Sequence, residues 1–546
     1  MYGRNTSGGA IKYISQKPSG DNESYIQSVI GNMGEFDLKF AGDYAVSEDL
    51  AVQVAAIKRQ RDGYSYNSTT EQHVNDQEVF SARIGAFWNI DEDSSLYVNF
   101  DMIRDTSTAG YASNIIEDAD NDVFTLESSV TGPNEVDQDG VNITYNRAIN
   151  NNINLEIIAA HRTLDNPWHG DFDGKAAVVL EDRWMLEQVQ DSIEAQLSGT
   201  TENIDWLAGV FLFKETNEMV ENVDVLPMFL GPSPTNYFDQ DTDSYAVFTH
   251  ASYKFSEKVN ITGGLRYTSD KKAITVDQIK ADDSVGFNSK DNHSWSNVSY
   301  KLGADYHFSD DVMFFVTTAS GYKSGGYALL NDGTLRTFDE ENNVTYELGV
   351  KSTMLDNRLR LNATYFFSQY DDLQLSAWDD EGNTVRINAA DTEISGIEIE
   401  LEAAVTSYWQ LNASIGTLDP EYKEAREPIT TDLELKQAPD FRWSIGSQVY
   451  FETNIGEFDW TLNINKTSDY FQNVANSPSG ATDEHTLVNS RVAYTNNDGD
   501  ISVSLWGKNL TDEQYTTGSL IIDGLGIGAV YTNLPRSYGV DLTYRF

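Results

Sequence analysis

Residues 537–546, the last ten of the chain, read S-Y-G-V-D-L-T-Y-R-F. Tyr538, Val540, Leu542, Tyr544 and Phe546 fall at every second position, with Gly539, Asp541, Thr543 and Arg545 between them. Successive side chains of a strand point to opposite faces, so this segment has one apolar face and one polar face. It then stops on an aromatic, which a soluble sheet would have to leave in water. Two aromatics closing an alternating strand fit the aromatic girdle of a strand that crosses a membrane within a closed barrel.

The remainder of the chain fits one large closed sheet. Its 546 residues exceed the usual soluble domain, yet no linker, low-complexity tract or change of composition divides them. There are 37 Lys and Arg against 86 Asp and Glu, a formal charge of −49, which excludes nucleic acid as a partner on electrostatic grounds. Disorder is the ordinary reading of so acidic a chain, but 40% hydrophobic and 12% aromatic residues argue for packed structure. No run reaches the roughly 18 consecutive apolar residues of a transmembrane helix, so membrane contact has to come through strands. Cysteine is absent, which removes disulfides and thiolate metal sites.

Between alternating segments the connections come in two lengths. Short polar turns are expected around residues 47–49, 91–93, 150–152, 199–203, 256–258, 309–311, 356–357, 406–407, 453–457 and 496–500. Ten hairpins give twenty strands; an opening strand near residues 24–30 and the closing one at 537–546 bring the total to about 22. The other connections are expected to be long loops: 60–79, 105–141, 163–187, 214–243, 270–294, 321–343, 371–393, 417–441, 466–484 and 511–534, with only 31–35 short. Short turns at one end and long loops at the other are the asymmetry of outer-membrane barrels. Ile397, Ile399 and Leu401 alternate with Glu398, Glu400 and Glu402, which calls for a wide polar lumen. Residues 10–15, after Gly8 and Gly9, read as one further short strand ended by Pro18.

Several segments resemble one family, the TonB-dependent outer-membrane receptors. Y-G-R-N-T-S-G-G-A-I at residues 2–11, with Gly3, Arg4, Gly8 and Gly9, resembles the end of that family's plug domain. A-S-G-Y-K-S-G-G-Y at 319–327, Y-E-L-G-V-K-S at 346–352, N-A-T-Y-F-F-S-Q-Y-D-D-L-Q at 362–374 and G-K-N-L-T-D-E-Q-Y at 507–515 are similar to its barrel segments, as is the closing P-R-S-Y-G-V-D-L-T-Y-R-F. The resemblance implies residues 1–18 as the C-terminal end of a plug and 19–546 as an all-β, 22-stranded transmembrane barrel in the outer membrane of a Gram-negative bacterium. It implies import of a scarce small molecule, foremost a ferric siderophore or other iron chelate, energised by the TonB complex, with cobalamin and glycans as other cargoes. Tyr544 and Phe546 match the family's C-terminal barrel-assembly signal. The TonB box, a signal peptide and most of the plug have no counterpart in this sequence, so the chain is expected to be part of a longer receptor. A passive channel and a soluble β-rich binding protein are the rival readings.

No enzyme signature is present: the seven histidines are scattered, and Ser324 in G-Y-K-S-G does not match a nucleophile elbow. No catalytic residue, metal site or cofactor is expected. Ligand contacts are expected from loop aromatics: Trp168 and His169 together in the N-P-W-H-G loop, with Tyr111, Tyr237, Phe238 and Trp378. Asp118 to Asp122 imitates the start of a calcium loop, but Val123 stands where glycine is required, so a solvated acidic loop is the better reading. Residues 321–327 are expected to form a strand-to-loop bend.

Overall fold

The computed structural model describes residues 4–108, 110, 112–114, 123–130, 132, 134–378, 384–522 and 526–546, with backbone alone at 377, 378, 384 and 385. Twenty-two antiparallel strands form one closed sheet. The first, Ser24–Gly31, pairs with the last, Ser537–Arg545, placing Ile26 opposite Tyr544, Ser28 opposite Leu542 and Ile30 opposite Val540. Beyond that register, Ser24 N–H donates to the Phe546 carbonyl (3.0 Å) and Phe546 N–H donates to the Ser24 carbonyl (2.9 Å). The ten tight turns lie where the polar clusters put them, as between Asp91 and Ser94, Ser309 and Val312, and Thr453 and Gly456.

The two faces of the wall invert the arrangement of a soluble protein. On the outside Tyr245, Val247, Leu265 and Tyr267 are each 41–55% exposed, a continuous apolar surface with tyrosines at its edge. Inside, Arg360 reaches Glu402 (3.0 Å) and Asn362 donates to Glu400 (3.4 Å), so the glutamates opposite Ile397 and Ile399 face a polar lumen as expected. Only a sheet with lipid outside and water inside makes this inversion favourable.

The long loops are much shorter than the sequence pattern indicates. Residues 163–187 reduce to a connection between Asp171 and Leu180, 214–243 to one between Val225 and Thr235, and 270–294 to one between Ile279 and Val285. The strands continue instead, up to the 25 residues of Val285–Ser309, where roughly 9–11 suffice to cross a bilayer. Above the membrane both faces of the sheet meet water, so hydrogen-bonded ladders persist while apolar–polar alternation ends. Where loops remain, some fold into small sheets: Thr516–Ile522 and Ile527–Thr532 join Ser113–Asn114, burying Ala112, Leu180, Ile527 and Ala529.

Residues 4–18 run along the inner wall, from a bridge between Thr6 and Tyr322 to Lys17 over the Phe87 ring (5.7 Å). The strand expected at 10–15 does not form. A strand needs a ladder of backbone hydrogen bonds with a neighbour; residues 10–15 are assigned to no strand, and Ile11, Tyr13 and Ile14 are exposed.

Deleting Phe546 removes both terminal hydrogen bonds and its stacking on Tyr544 (5.7 Å between centroids). At about 0.5–1.5 kcal/mol for each bond, the seam should weaken by about 1–3 kcal/mol. The expected outcome is less heat-modifiable barrel in outer-membrane fractions; an unchanged folded amount would contradict the closing role.

Candidate functional site

The lumen's chemistry gathers where the N-terminal segment meets the strand Val259–Ile279. Asp270 and Lys272 lie two residues apart and therefore share the inner face. Arg4 Nε lies 3.0 Å from Asp270 Oδ1, its guanidinium sits 4.3 Å over the Phe213 ring, and Asp270 is fully buried. One step along the chain, Asn5 Oδ1 accepts the Ser324 N–H (2.9 Å).

Residues 324 and 325 make the expected bend after the strand Val312–Lys323, before the inward-lying hairpin of Gly326–Leu329 and Leu335–Phe338. A Cβ on Gly325 would come within 2.2 Å of the Phe338 carbonyl oxygen and 2.3 Å of Trp295 Nε1, so the bend requires glycine there. Lys272 Nζ donates to the Gly325 carbonyl (2.6 Å), and the Tyr327 hydroxyl donates back to the Lys272 carbonyl (3.0 Å). Gln374 Nε2 fastens the hairpin from the other side through the carbonyls of Ser324 and Asp339, both at 3.1 Å. The N-terminal segment and the hairpin thus hang on one stretch of wall. Beside them a cavity of about 670 Å³ lies between residues 5–10 and the wall, with Arg266, Lys301, Tyr370 and Glu398 among its lining.

The residues singled out from sequence are placed differently. Trp168 and His169 belong to the strand Ile153–Asp171, not a loop, and so point to opposite faces. Trp168 stacks on its cross-strand partner Trp184 (4.2 Å, 20°) and tilts against Phe172, lying so close over residue 170 that only glycine fits. His169 instead accepts from Arg183 Nε (2.9 Å) beside the buried Glu181. The two rings form no common site. Tyr237 lies in register with Val220 and Asp277 on the outer face, 44% exposed, away from the lumen, and Phe238 takes the opposite, inner side. Tyr111, Gly3 and Asp118–Asp122 lie outside the described residues; Trp378 ends the strand Leu359–Trp378, its side chain also outside them. Gly8 and Gly9 stand in open space, Gly9 with φ +126°. Phe213, Asp270, Trp295 and Gln374 were missed. The one clue available was the i, i+2 spacing of Asp270 and Lys272.

At the outer rim Asp173 is fully buried, and its carboxylate accepts from the backbone N–H groups of Lys175 (3.0 Å), Val179 (2.9 Å) and Leu180 (2.6 Å). Burial, followed by the charge of Asp171, pushes its pKa from the ordinary 3.8 to about 6 against the opposing effect of those N–H groups.

A closed 22-stranded wall, apolar outside and polar inside, with a segment anchored across its lumen, defines an outer-membrane transport barrel. The chain belongs to the TonB-dependent receptors: the family model for the TonB dependent receptor-like β-barrel matches residues 100–510. It is 22% identical over 575 aligned residues to the pesticin receptor of Yersinia pestis, covering 100% of this chain and 79% of that protein. The ferric yersiniabactin uptake receptor FyuA from Yersinia pestis shares its fold at a TM-score of 0.84 and 16% identity, over 97% of this chain and 81% of that one. The siderophore receptor PiuA from Acinetobacter baumannii follows at 0.79 and 14%, over 97% and 82%. The protein is therefore an outer-membrane receptor of a Gram-negative bacterium.

Two outcomes follow from this geometry. Arg4→Ala removes the one side chain in ion-pair contact with the buried Asp270 carboxylate among the described residues, which costs up to about 3–5 kcal/mol. Residues 4–10 should release from the wall, read as increased hydrogen exchange there while exchange in the barrel strands is unchanged; protection of 4–10 equal to wild type would refute the anchor. For Asp173 the folded pKa lies above the unfolded one, so the folded rim binds the extra proton and its stability falls as pH rises from about 4 to 6, by on the order of 3 kcal/mol. After correction for intrinsic exchange rates, the Val179 and Leu180 amides should be better protected at pH 5 than at pH 7.

Proposed function

We propose that this chain is the barrel (19–546) and final plug segment (1–18) of a receptor that imports a ferric siderophore, energised by the TonB complex through a part of the receptor preceding these residues. The observation that carries the reading is the likeness to the pesticin receptor over the whole chain, joined by a barrel shape shared with FyuA, a ferric yersiniabactin uptake receptor, and PiuA, a siderophore receptor. The lumen supports it: the cavity beside residues 5–10 falls within the range of small-molecule sites, and its lining offers the cations Arg266 and Lys301 and the aromatic Tyr370 where an iron chelate would pass. In this reading the N-terminal segment moves and the barrel does not. The receptor performs no catalysis, and its partners are outer-membrane lipid, the TonB complex and the chelate. Tyr544 and Phe546 serve as the end recognised during assembly.

The test is radio-iron uptake and growth in chelator-treated medium for a strain lacking the full-length gene. Uptake of the cognate ferric siderophore should fall at least tenfold, and equally when TonB is removed from a wild-type strain. Undiminished uptake would overturn the iron assignment and favour cobalamin or a glycan. A steady conductance of the full-length receptor without TonB would overturn active transport.

A further inference from the structure

The outer face carries a second concavity, of about 620 Å³, above the strands Ile153–Asp171, Leu180–Thr200, Ile204–Val225 and Thr235–Ser256. Its lower wall is apolar: Ile143, Ala159, Ile193, Leu212 and Tyr245 stand opposite one another on successive strands, with the small Ala159 leaving the hollow. One pair higher the row changes character. His161 lies opposite Asp191, Asp191 opposite Lys214, Lys214 opposite Asp243, and Asp243 opposite Lys271. All five side chains are exposed on the face that carries the apolar band. The row runs along the extracellular edge of that band, immediately above Tyr245, where acyl chains give way to headgroups.

His161 Nδ1 is held by Asp191 Oδ1 at 2.8 Å. The two lysines are different: although each stands beside a carboxylate in register, neither makes an ion pair with any described residue. Lys214 therefore projects outward from the groove's own rim, and Lys271 from the adjoining strand beyond Asp243, both at headgroup depth. An acyl chain fits the groove, and a phosphate above it meets Lys214 and Lys271. Depth selects the outer leaflet, whose lipid in a Gram-negative outer membrane is a phosphorylated, multiply acylated glycolipid.

We infer that this groove is a specific site for that glycolipid, with one acyl chain lying over Ala159 and the sugar phosphate held by Lys214 and Lys271. The occupant is lipid A; diacyl phospholipid, with the same phosphate chemistry at the inner leaflet, is the alternative the test separates.

The full-length receptor, delipidated in detergent, is titrated with bisphosphorylated lipid A, with its enzymatically dephosphorylated form and with phosphatidylglycerol, bound lipid being counted by native mass spectrometry. Lys214→Glu with Lys271→Glu should weaken bisphosphorylated lipid A at least tenfold, to the level of the dephosphorylated form. Ala159→Trp, which fills the groove and keeps both lysines, should reduce binding by a similar factor and carries the test alone if the charge reversal fails to assemble. Binding within twofold of wild type in either assembled variant, or phosphatidylglycerol retained as tightly as lipid A and lost in the same variants, would overturn the site.

Discussion

In hydrocarbon an unpaired backbone N–H or C=O has no water to turn to, so a spanning sheet cannot have an edge. The meeting of Ser24–Gly31 with Ser537–Arg545 is therefore the contact on which the others depend, since it turns an open sheet with two exposed ladders into a closed wall. Closure also fixes where each kind of side chain goes. With both edges gone, the only free surfaces are an outside facing lipid and an inside facing water. The Glu398, Glu400, Glu402 stripe becomes a lumen wall because Ile397 and Ile399 have taken the lipid side.

The same alternation decided what the sequence could disclose. Within the membrane band one face is apolar and the other polar, so period 2 is plain, and the strand count, the ten turns and the closing strand were all legible. Above the band that contrast disappears. The stretch 235–243, T-N-Y-F-D-Q-D-T-D, offers little alternation and yet is continuous strand. Trp168 and His169 looked like neighbours in a loop for the same reason; once they lie on a strand, adjacency in sequence separates them by the thickness of the sheet. The lumenal cluster was less legible still. Arg4 and Asp270 are 266 residues apart, and only the closed barrel brings them to 3.0 Å.

That pair explains how the inner parts can respond to one another. Arg4 is tied to Asp270, Lys272 to the Gly325 carbonyl, and Ser324 to Asn5, so the N-terminal segment, one wall strand and the inward hairpin form a closed circuit of contacts. The strand is held on both sides by ladders of about twenty residues and is the stiff member. Displacing the segment must therefore break the buried ion pair, open the Thr6–Tyr322 bridge or pull on the hairpin bend through Asn5. Truncating one side of a buried pair costs several kcal/mol, against about 1 kcal/mol for the single Asn5 hydrogen bond. The hairpin contact is the weaker tie and yields first.

Charge follows the same division between membrane and water. On the outer face above the band, Asp137, Asp165, Glu187, Glu218 and Asp239 stand directly opposite one another on five successive strands, an arrangement that costs several tenths of a kcal/mol per like-charged pair. Arg104 reaches only the first of them, at 3.6 Å from Asp137. The row survives because each pair is exposed to water and screened, while the twenty-odd ladder hydrogen bonds between those strands do not depend on side-chain identity. A wall held by its backbone can carry a formal charge of −49, provided the carboxylates stay out of the lipid-facing band. At the edge of that band the row no longer carries one sign: Asp191 stands between His161 and Lys214, and Asp243 between Lys214 and Lys271. The lysines lie at the depth where repulsion would be least screened, which is why the acidic surface ends there and not a turn lower.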